Sequence, residues 1–250
     1  MRLFNNTILI TGGATGIGLG LAEQFLKHNN TVIICGRREN RLMQAKTKFP
    51  KLNTRVCDLT DPSERESLAA WTIQNFPDLN ILVNNAGIQK NFDLTNPIAV
   101  TDVRRECETN FIAPLHLGNL FTAHLKKQPE SAIVNITSGL AFTPLAFMPV
   151  YCATKAALHS FSLSLRHQLS NTSIKVFEIA PPIVDTELDG GARDERGQNE
   201  RGMNPAEFAG HALDAIGKDE FEVAIGFAAN LKLKREELFN NLNPRVMDQK

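Results

Sequence analysis

Tyrosine and tryptophan each occur once in this chain, against fifteen phenylalanines. A phenol with a chemical task therefore has no substitute elsewhere in the sequence. An excess of one charge is also missing, since 27 basic residues balance 27 acidic ones and no cationic arm or stripe stands out. That balance removes the electrostatic basis for nucleic-acid binding. No apolar run approaches the length of about 18 residues that a membrane-spanning helix needs, and Met1-Arg2-Leu3-Phe4-Asn5-Asn6 carries no separate apolar leader segment. A soluble, cytoplasmic protein is expected. Cys35, Cys57, Cys107 and Cys152 form no CxxC, and the six histidines form no HxxxH or HExxH. No metal site and no disulfide are expected, only reduced, partly buried thiols.

What is present is a regular alternation of strand and helix signals across 250 residues, 42% of them hydrophobic. Such alternation is compatible with one domain spanning residues 1–250. Thr7-Ile8-Leu9-Ile10-Thr11 reads as a strand, and Gly12-Gly13-Ala14-Thr15-Gly16-Ile17-Gly18 follows at once. A helical pattern through Leu21, Ala22, Phe25 and Leu26 then leads to a second strand, Thr31-Val32-Ile33-Ile34-Cys35. In this setting glycines let backbone N–H groups and a helix N-terminus approach a diphosphate. The second strand ends Cys35-Gly36-Arg37-Arg38-Glu39. A carboxylate there would bond the ribose 2′-OH of NAD, whereas an arginine pairs with the 2′-phosphate of NADP. Arg37, with Arg38 beside it, predicts NADP(H) over NAD(H). Glu39 is the counter-candidate, and it also suits the start of the next helix.

Further along, Tyr151 stands four residues before Lys155, so on a helix the phenol and the ammonium share one face. Such pairs arise by chance on helix surfaces. Where one is functional, a cation beside a phenol lowers its pKa; a fall of roughly three units, worth about 4 kcal/mol, makes it a proton donor near neutral pH. Pro149 suits a helix start, and Leu158, Phe161, Leu165 and Leu169 recur at helical spacing behind it. Ser138 ends the strand pattern of residues 131–138, 13 residues before Tyr151. In an open α/β sheet that is the ligand-binding edge.

From Thr11 to Gly18 the chain resembles the TGxxxGxG loop of the short-chain dehydrogenase/reductase family, and Asn84-Asn85-Ala86-Gly87 is similar to that family's NNAG segment. The resemblance implies a doubly wound Rossmann-type α/β fold with a mostly parallel seven-stranded sheet and helices on both faces. It also implies a nicotinamide cofactor. Gly12, Ala14, Thr15, Gly16, Ile17 and Gly18 would lie at the diphosphate, and Asn85, Ala86 and Gly87 at a ribose. Asp58, with Leu59 beside it, would accept from the adenine; on its own, Asp58 reads equally as a turn cap. Pro181, Ile183 and Thr186 would meet the nicotinamide end, although Pro182 departs from the Pro-Gly that relatives carry.

The same resemblance makes Ser138, Tyr151 and Lys155 catalytic. Asn110, followed by Pro114 inside the helical pattern of residues 98–125, would hold the water of a proton relay or simply mark a kink. Residues 185–203, polar and glycine-rich, read as a mobile substrate loop, and residues 228–250 as a charged helical tail. The wording of that tail, Asn240-Asn241-Leu242-Asn243-Pro244, is similar to the DltE-like subgroup. The expected reaction interconverts a small-molecule carbonyl and a secondary alcohol, and the apolar run Leu140, Phe142, Leu145, Phe147 and Met148 hints at a hydrophobic compound. A homodimer or homotetramer is expected. The competing readings are an NAD-linked alcohol dehydrogenase and a non-catalytic NADPH-binding sensor or interaction protein.

Overall fold

Apolar residues fill both faces of the strands. In β1 (Thr7–Thr11) Ile8 and Ile10 enter one layer and Leu9 the other, all three without solvent exposure. Strands buried on both sides suit a parallel sheet covered by helices. The computed structural model describes residues 1–188 and 202–244. β2 (Thr31–Gly36), β3 (Asn53–Val56), β4 (Leu79–Asn84), β5 (Ser131–Ile136), β6 (Ile174–Ala180) and β7 (Glu222–Ala224) complete one sheet of order β3-β2-β1-β4-β5-β6-β7. Every adjacent pair is parallel, so the sheet is fully rather than mostly parallel.

One face carries α1 (Gly16–Lys27), α2 (Glu39–Lys48) and α7 (Pro205–Gly217), whose Phe25, Leu42 and Phe208 pack on Ile10, Ile34 and Val83. On the other face lie α3 (Pro62–Asn75), α5 (Ala113–Leu125) and α6 (Pro149–Gln168), with Leu68, Phe121 and Leu165 against Leu82, Ile133 and Val176. The order of strands reverses between β1 and β4, and a crevice opens beyond their carboxyl ends.

One difference from the sequence reading has a physical cause. The expected helix over residues 98–125 is α4 (Val100–Cys107) and α5, joined by a π-helical turn at Glu108–Ile112 that contains Asn110 and precedes Pro114. Proline without an N–H and a buried amide together disfavour a regular ladder there. The tail expected over residues 228–250 includes α8 (Phe227–Lys234), which is anchored by the buried Ala228 and Leu231, and its residues 245–250 lie outside the described residues. Of the expected loop at 185–203, residues 189–201 lie outside the described residues. Its two ends meet at a bridge between Val184 and Met203, with Met203 N–H donating to Ile183 at 2.9 Å. Among the described residues no helix is long and apolar enough to cross a membrane.

Candidate active site

The glycine loop is held by its neighbours. Thr11 Oγ1 accepts from the N–H groups of Asn85 and Ala86 at 3.0 Å, and Asn85 Nδ2 donates to the Thr11 carbonyl at 2.9 Å. The loop and the NNAG segment are thus one unit. Gly12 has φ +63°, and a Cβ there would sit 2.9 Å from Ala86 Cα; only glycine fits. Gly16 also has positive φ and opens α1.

Gly12, Ala14, Thr15, Gly16 and Ile17 line one cavity of about 860 Å³. Arg37, Arg38, Asp58 and Leu59 line it at the ends of β2 and β3, Asn85, Ala86 and Gly87 beyond β4, and Ser138, Tyr151 and Lys155 on the far side. Pro181, Ile183 and Thr186 follow β6 along the same wall. Two expected residues stand behind the wall. Gly18 lets α1 pack against Gly13, where a Cβ would come within 2.9 Å of Gly13 Cα. Asn110 is fully buried, accepting from Ile88 N–H at 2.9 Å and donating to Ile88 O at 2.8 Å and to Thr154 Oγ1 at 3.1 Å. Its amide clamps the strand after β4 to α6. Its Oδ1 also lies 3.5 Å, and Lys155 Nζ 3.7 Å, from the point where a Cβ on Gly87 would be.

Asp58 caps a turn and also borders the cavity. Its Oδ1 accepts from Thr60 N–H at 3.0 Å and Thr60 Oγ1 at 2.9 Å. Burial disfavours its charge, but the two Thr60 bonds, Arg37 and Arg105 outweigh this and hold the carboxyl below its ordinary range. Arg38 approaches Thr15 Oγ1 at 3.5 Å and Glu187 at 3.7 Å, and Arg41 pairs with Glu187 at 3.0 Å. Glu39 does not line the cavity.

At the other end Tyr151 and Lys155 are almost fully buried, and Nζ lies 5.8 Å from the phenol ring centre. Here the structure corrects an expectation. Burial pushes the Tyr151 pKa up, outweighing the hydrogen bond from Ser138 that lowers it, and it pulls Lys155 down to about 8. Lys155 Nζ spends a donor on the Ile136 carbonyl at 2.8 Å rather than on the phenol. In a desolvated site the cost of charging both groups exceeds their mutual help.

Several participants escaped the sequence reading. Glu178 in β6 is fully buried, accepting from Thr137 Oγ1 at 2.9 Å, with His159 Nδ1 at 2.8 Å. It ties the residue before Ser138 to the helical turn after Lys155. Glu106 is also fully buried, and burial pushes its pKa up to about 7, outweighing the backbone and charge of Lys90 that lower it. Phe227 and Leu231 of α8 reach the cavity because a Cβ on Gly139 would be 2.8 Å from Leu231, so glycine admits the helix. The four cysteines are free.

The dinucleotide requirements can be checked on this geometry. A loop that only glycine can make at Gly12 and a helix N-terminus beside it fit a diphosphate, and an arginine pair stands at the end of β2. Comparison with known proteins agrees. The chain matches the family model described as short chain dehydrogenase over residues 6–197. It is 52% identical over 248 residues to "Uncharacterized oxidoreductase DltE" of Bacillus subtilis (strain 168), covering 97% of this chain and 98% of that one. A short-chain dehydrogenase from Sphingobium yanoikuyae in complex with NADPH superposes with TM-score 0.81 at 26% identity, over 91% of each chain. A short-chain dehydrogenase/reductase from Burkholderia phymatum in complex with NAD does so with TM-score 0.86 at 19% identity, over 98% of each. With its fold, its loop and its sequence all in agreement, the chain belongs to the short-chain dehydrogenase/reductase family and is a DltE-like oxidoreductase.

Proposed function

We propose that the protein is an NADP(H)-dependent oxidoreductase that interconverts a carbonyl and a secondary alcohol, with Tyr151 as general acid and base. The observation that carries this reading is that Ser138, Tyr151 and Lys155 line the same cavity as the glycine loop, at the carboxyl edge of the sheet. Arg37 and Arg38 line it where a ribose 2′-phosphate would lie, and Gly36 before them leaves no carboxylate at that point, which supports NADP over NAD.

When bound, the cofactor supplies the hydride. The chain's own groups handle the oxygen and its proton. The phenol of Tyr151, kept protonated by burial, gives its proton to the oxygen of the substrate as negative charge develops there. The hydroxyl of Ser138 hydrogen-bonds the same oxygen, and donors placed in advance at a reacting atom contribute most in a dry site. Lys155, with a pKa near 8, is poised to pass a proton toward the tyrosine. Asn110 fixes the backbone at Ile88 beside that lysine, and a water held near its Oδ1 would refill the pair.

Two or four copies assembled through α5 and α6, in the cytoplasm, belong to the same reading. The apolar exposure of Leu115 and Leu163 on those helices, of Ile112 in the turn before α5, and the free cysteines support it. The test is NADPH consumption with a panel of ketones by wild type and Tyr151→Phe, with NADPH binding followed by its fluorescence. Binding within a few fold of wild type and loss of turnover are expected. Substantial residual turnover would remove Tyr151 from its role, and absence of NADPH binding would overturn the reading.

A further inference from the structure

The cavity is electrically lopsided. Its charged lining residues, among the described ones, are Arg37, Arg38, Asp58, Glu187 and Lys155. Arg37 and Arg38 follow β2, Asp58 follows β3, and Glu187 is drawn to the same end by Arg38 and Arg41. Lys155 lies buried and bonded to the Ile136 carbonyl. Lys232, on the same helix as Phe227 and Leu231, is paired with Glu222 at 2.7 Å. Beside Tyr151, by contrast, Leu140, Leu145, Phe147 and Met148 form one apolar cluster that includes the tyrosine ring itself. All four line the cavity, joined by Phe227 and Leu231.

Exposure adds a second observation. Ile183 is 64% exposed, Phe227 53% and Leu188 39%, and all three border the cavity. Large apolar side chains gathered in solvent around a concave site mark a surface that a ligand covers. Lys155 is the one cation near Tyr151 among the described lining residues, and it stands behind the phenol; the wall of Leu145, Phe147, Met148 and Phe227 offers a carboxylate no counter-charge, and an unpaired ion against such a wall costs several kcal/mol.

We propose that the substrate is an uncharged ketone with an aliphatic or aromatic arm lying along Leu145, Phe147, Met148 and Phe227, rather than a keto acid. This rests on the carbonyl-reducing reading above. The carbonyl carbon accepts a hydride from the reduced nicotinamide as the C=O π bond breaks, and the oxygen takes the Tyr151 proton. A secondary alcohol and oxidised nicotinamide result. The apolar arm supplies binding energy away from the reacting atoms, and the neutral head leaves Tyr151 free of a competing negative charge.

The test uses matched pairs, a β-keto methyl ester and its free acid, with the alkyl arm lengthened stepwise from methyl to pentyl. With NADPH, kcat/KM for the ester is expected to exceed that for the acid by roughly 100-fold or more, a gap of about 2.7 kcal/mol. It should also rise by about fourfold per methylene until the wall is covered. Calorimetric titration with the matching hydroxy ester and hydroxy acid reads binding without turnover; tighter ester binding with a negative heat-capacity change is expected. Phe227→Ser should lower kcat/KM for the pentyl ester at least fivefold more than for the methyl ester. Equal or better use of the acid, or a flat chain-length profile, overturns the substrate class while carbonyl reduction stands. Selective ester binding without reduction of any ketone leaves the apolar site in place and overturns the proposed reaction.

Discussion

Replacing Lys155 by methionine should make the cofactor-free protein more stable at neutral pH while removing its activity. Burial pulls the lysine pKa from 10.5 to about 8, a difference that at about 1.4 kcal/mol per unit amounts to about 3 kcal/mol. The folded protein binds its proton less tightly than the unfolded chain does. The lysine therefore weakens the fold at pH 7, and this penalty fades as pH rises from about 8 toward 10.5. Methionine fills a similar volume and carries no charge, but it leaves the Ile136 carbonyl without the donor now 2.8 Å away. That loss returns about 1 kcal/mol, so a net gain of about 2 kcal/mol is expected near pH 7. The assay is urea unfolding of both proteins between pH 7 and 10, read as the difference between them. The raw profiles would mislead, because burial raises the thiols of Cys35, Cys57 and Cys152. Those thiols make the fold less stable above about pH 9, the opposite slope, and they cancel in the difference. A variant less stable than wild type at pH 7, or a gap that stays constant to pH 10, would refute the assignment of an uncompensated buried lysine.

Glu106 supplies the mirror case. Its folded pKa of about 7 lies above the ordinary 4.5, so stability present below about pH 4.5 is lost as pH rises through 7. Glu106→Gln should match wild type near pH 5 and exceed it by about 2 kcal/mol at pH 8; equal stability at pH 8 would count against the buried charge. Arg37→Asp should weaken NADPH at least tenfold, or about 1.4 kcal/mol, and leave NADH within a few fold, measured by fluorescence titration. Equal loss of both would contradict the 2′-phosphate assignment. Glu178→Ala strands the Thr137 hydroxyl and His159. It should cost about 3 kcal/mol and lower Tm by roughly 6–12 °C, whereas Glu178→Gln, which keeps an acceptor, should cost less. A calorimetric Tm for Glu178→Ala within about 2 °C of wild type would refute the clamp.

The parts of this protein that were legible in its sequence are those fixed by local spacing. Apolar runs marked the strands, glycines marked the tight loop after β1, and a step of four put Tyr151 and Lys155 on one face. The π turn was foreshadowed because Pro114 and Asn110 are both poor residues for a helix interior. What could not be read depends on burial, which is a property of the whole fold. Tyr151 next to Lys155 suggests a lowered phenol pKa only while both are imagined near water; once both are enclosed, desolvation decides. Glu178 hid in a mostly apolar strand, since its partners Thr137 and His159 stand 41 and 19 residues away. Phe227 and Leu231 hid at the start of a charged tail, and only Gly139 in contact with their helix reveals why they reach the cavity.

These residues share a physical character. Lys155, Glu106 and Glu178 are ionisable groups enclosed in a core that apolar residues would stabilise better, and Tyr151 beside them is a phenol held from ionising. A fold selected for stability alone has no use for them. Tyr151 and Lys155 stand in the first turns of α6, Glu178 of β6 reaches His159 one turn further on, and Glu106 comes from α4. Costly groups kept in a core are a mark of a functional site, and burial singles out Tyr151 and Lys155, the same two residues that the spacing of four singled out.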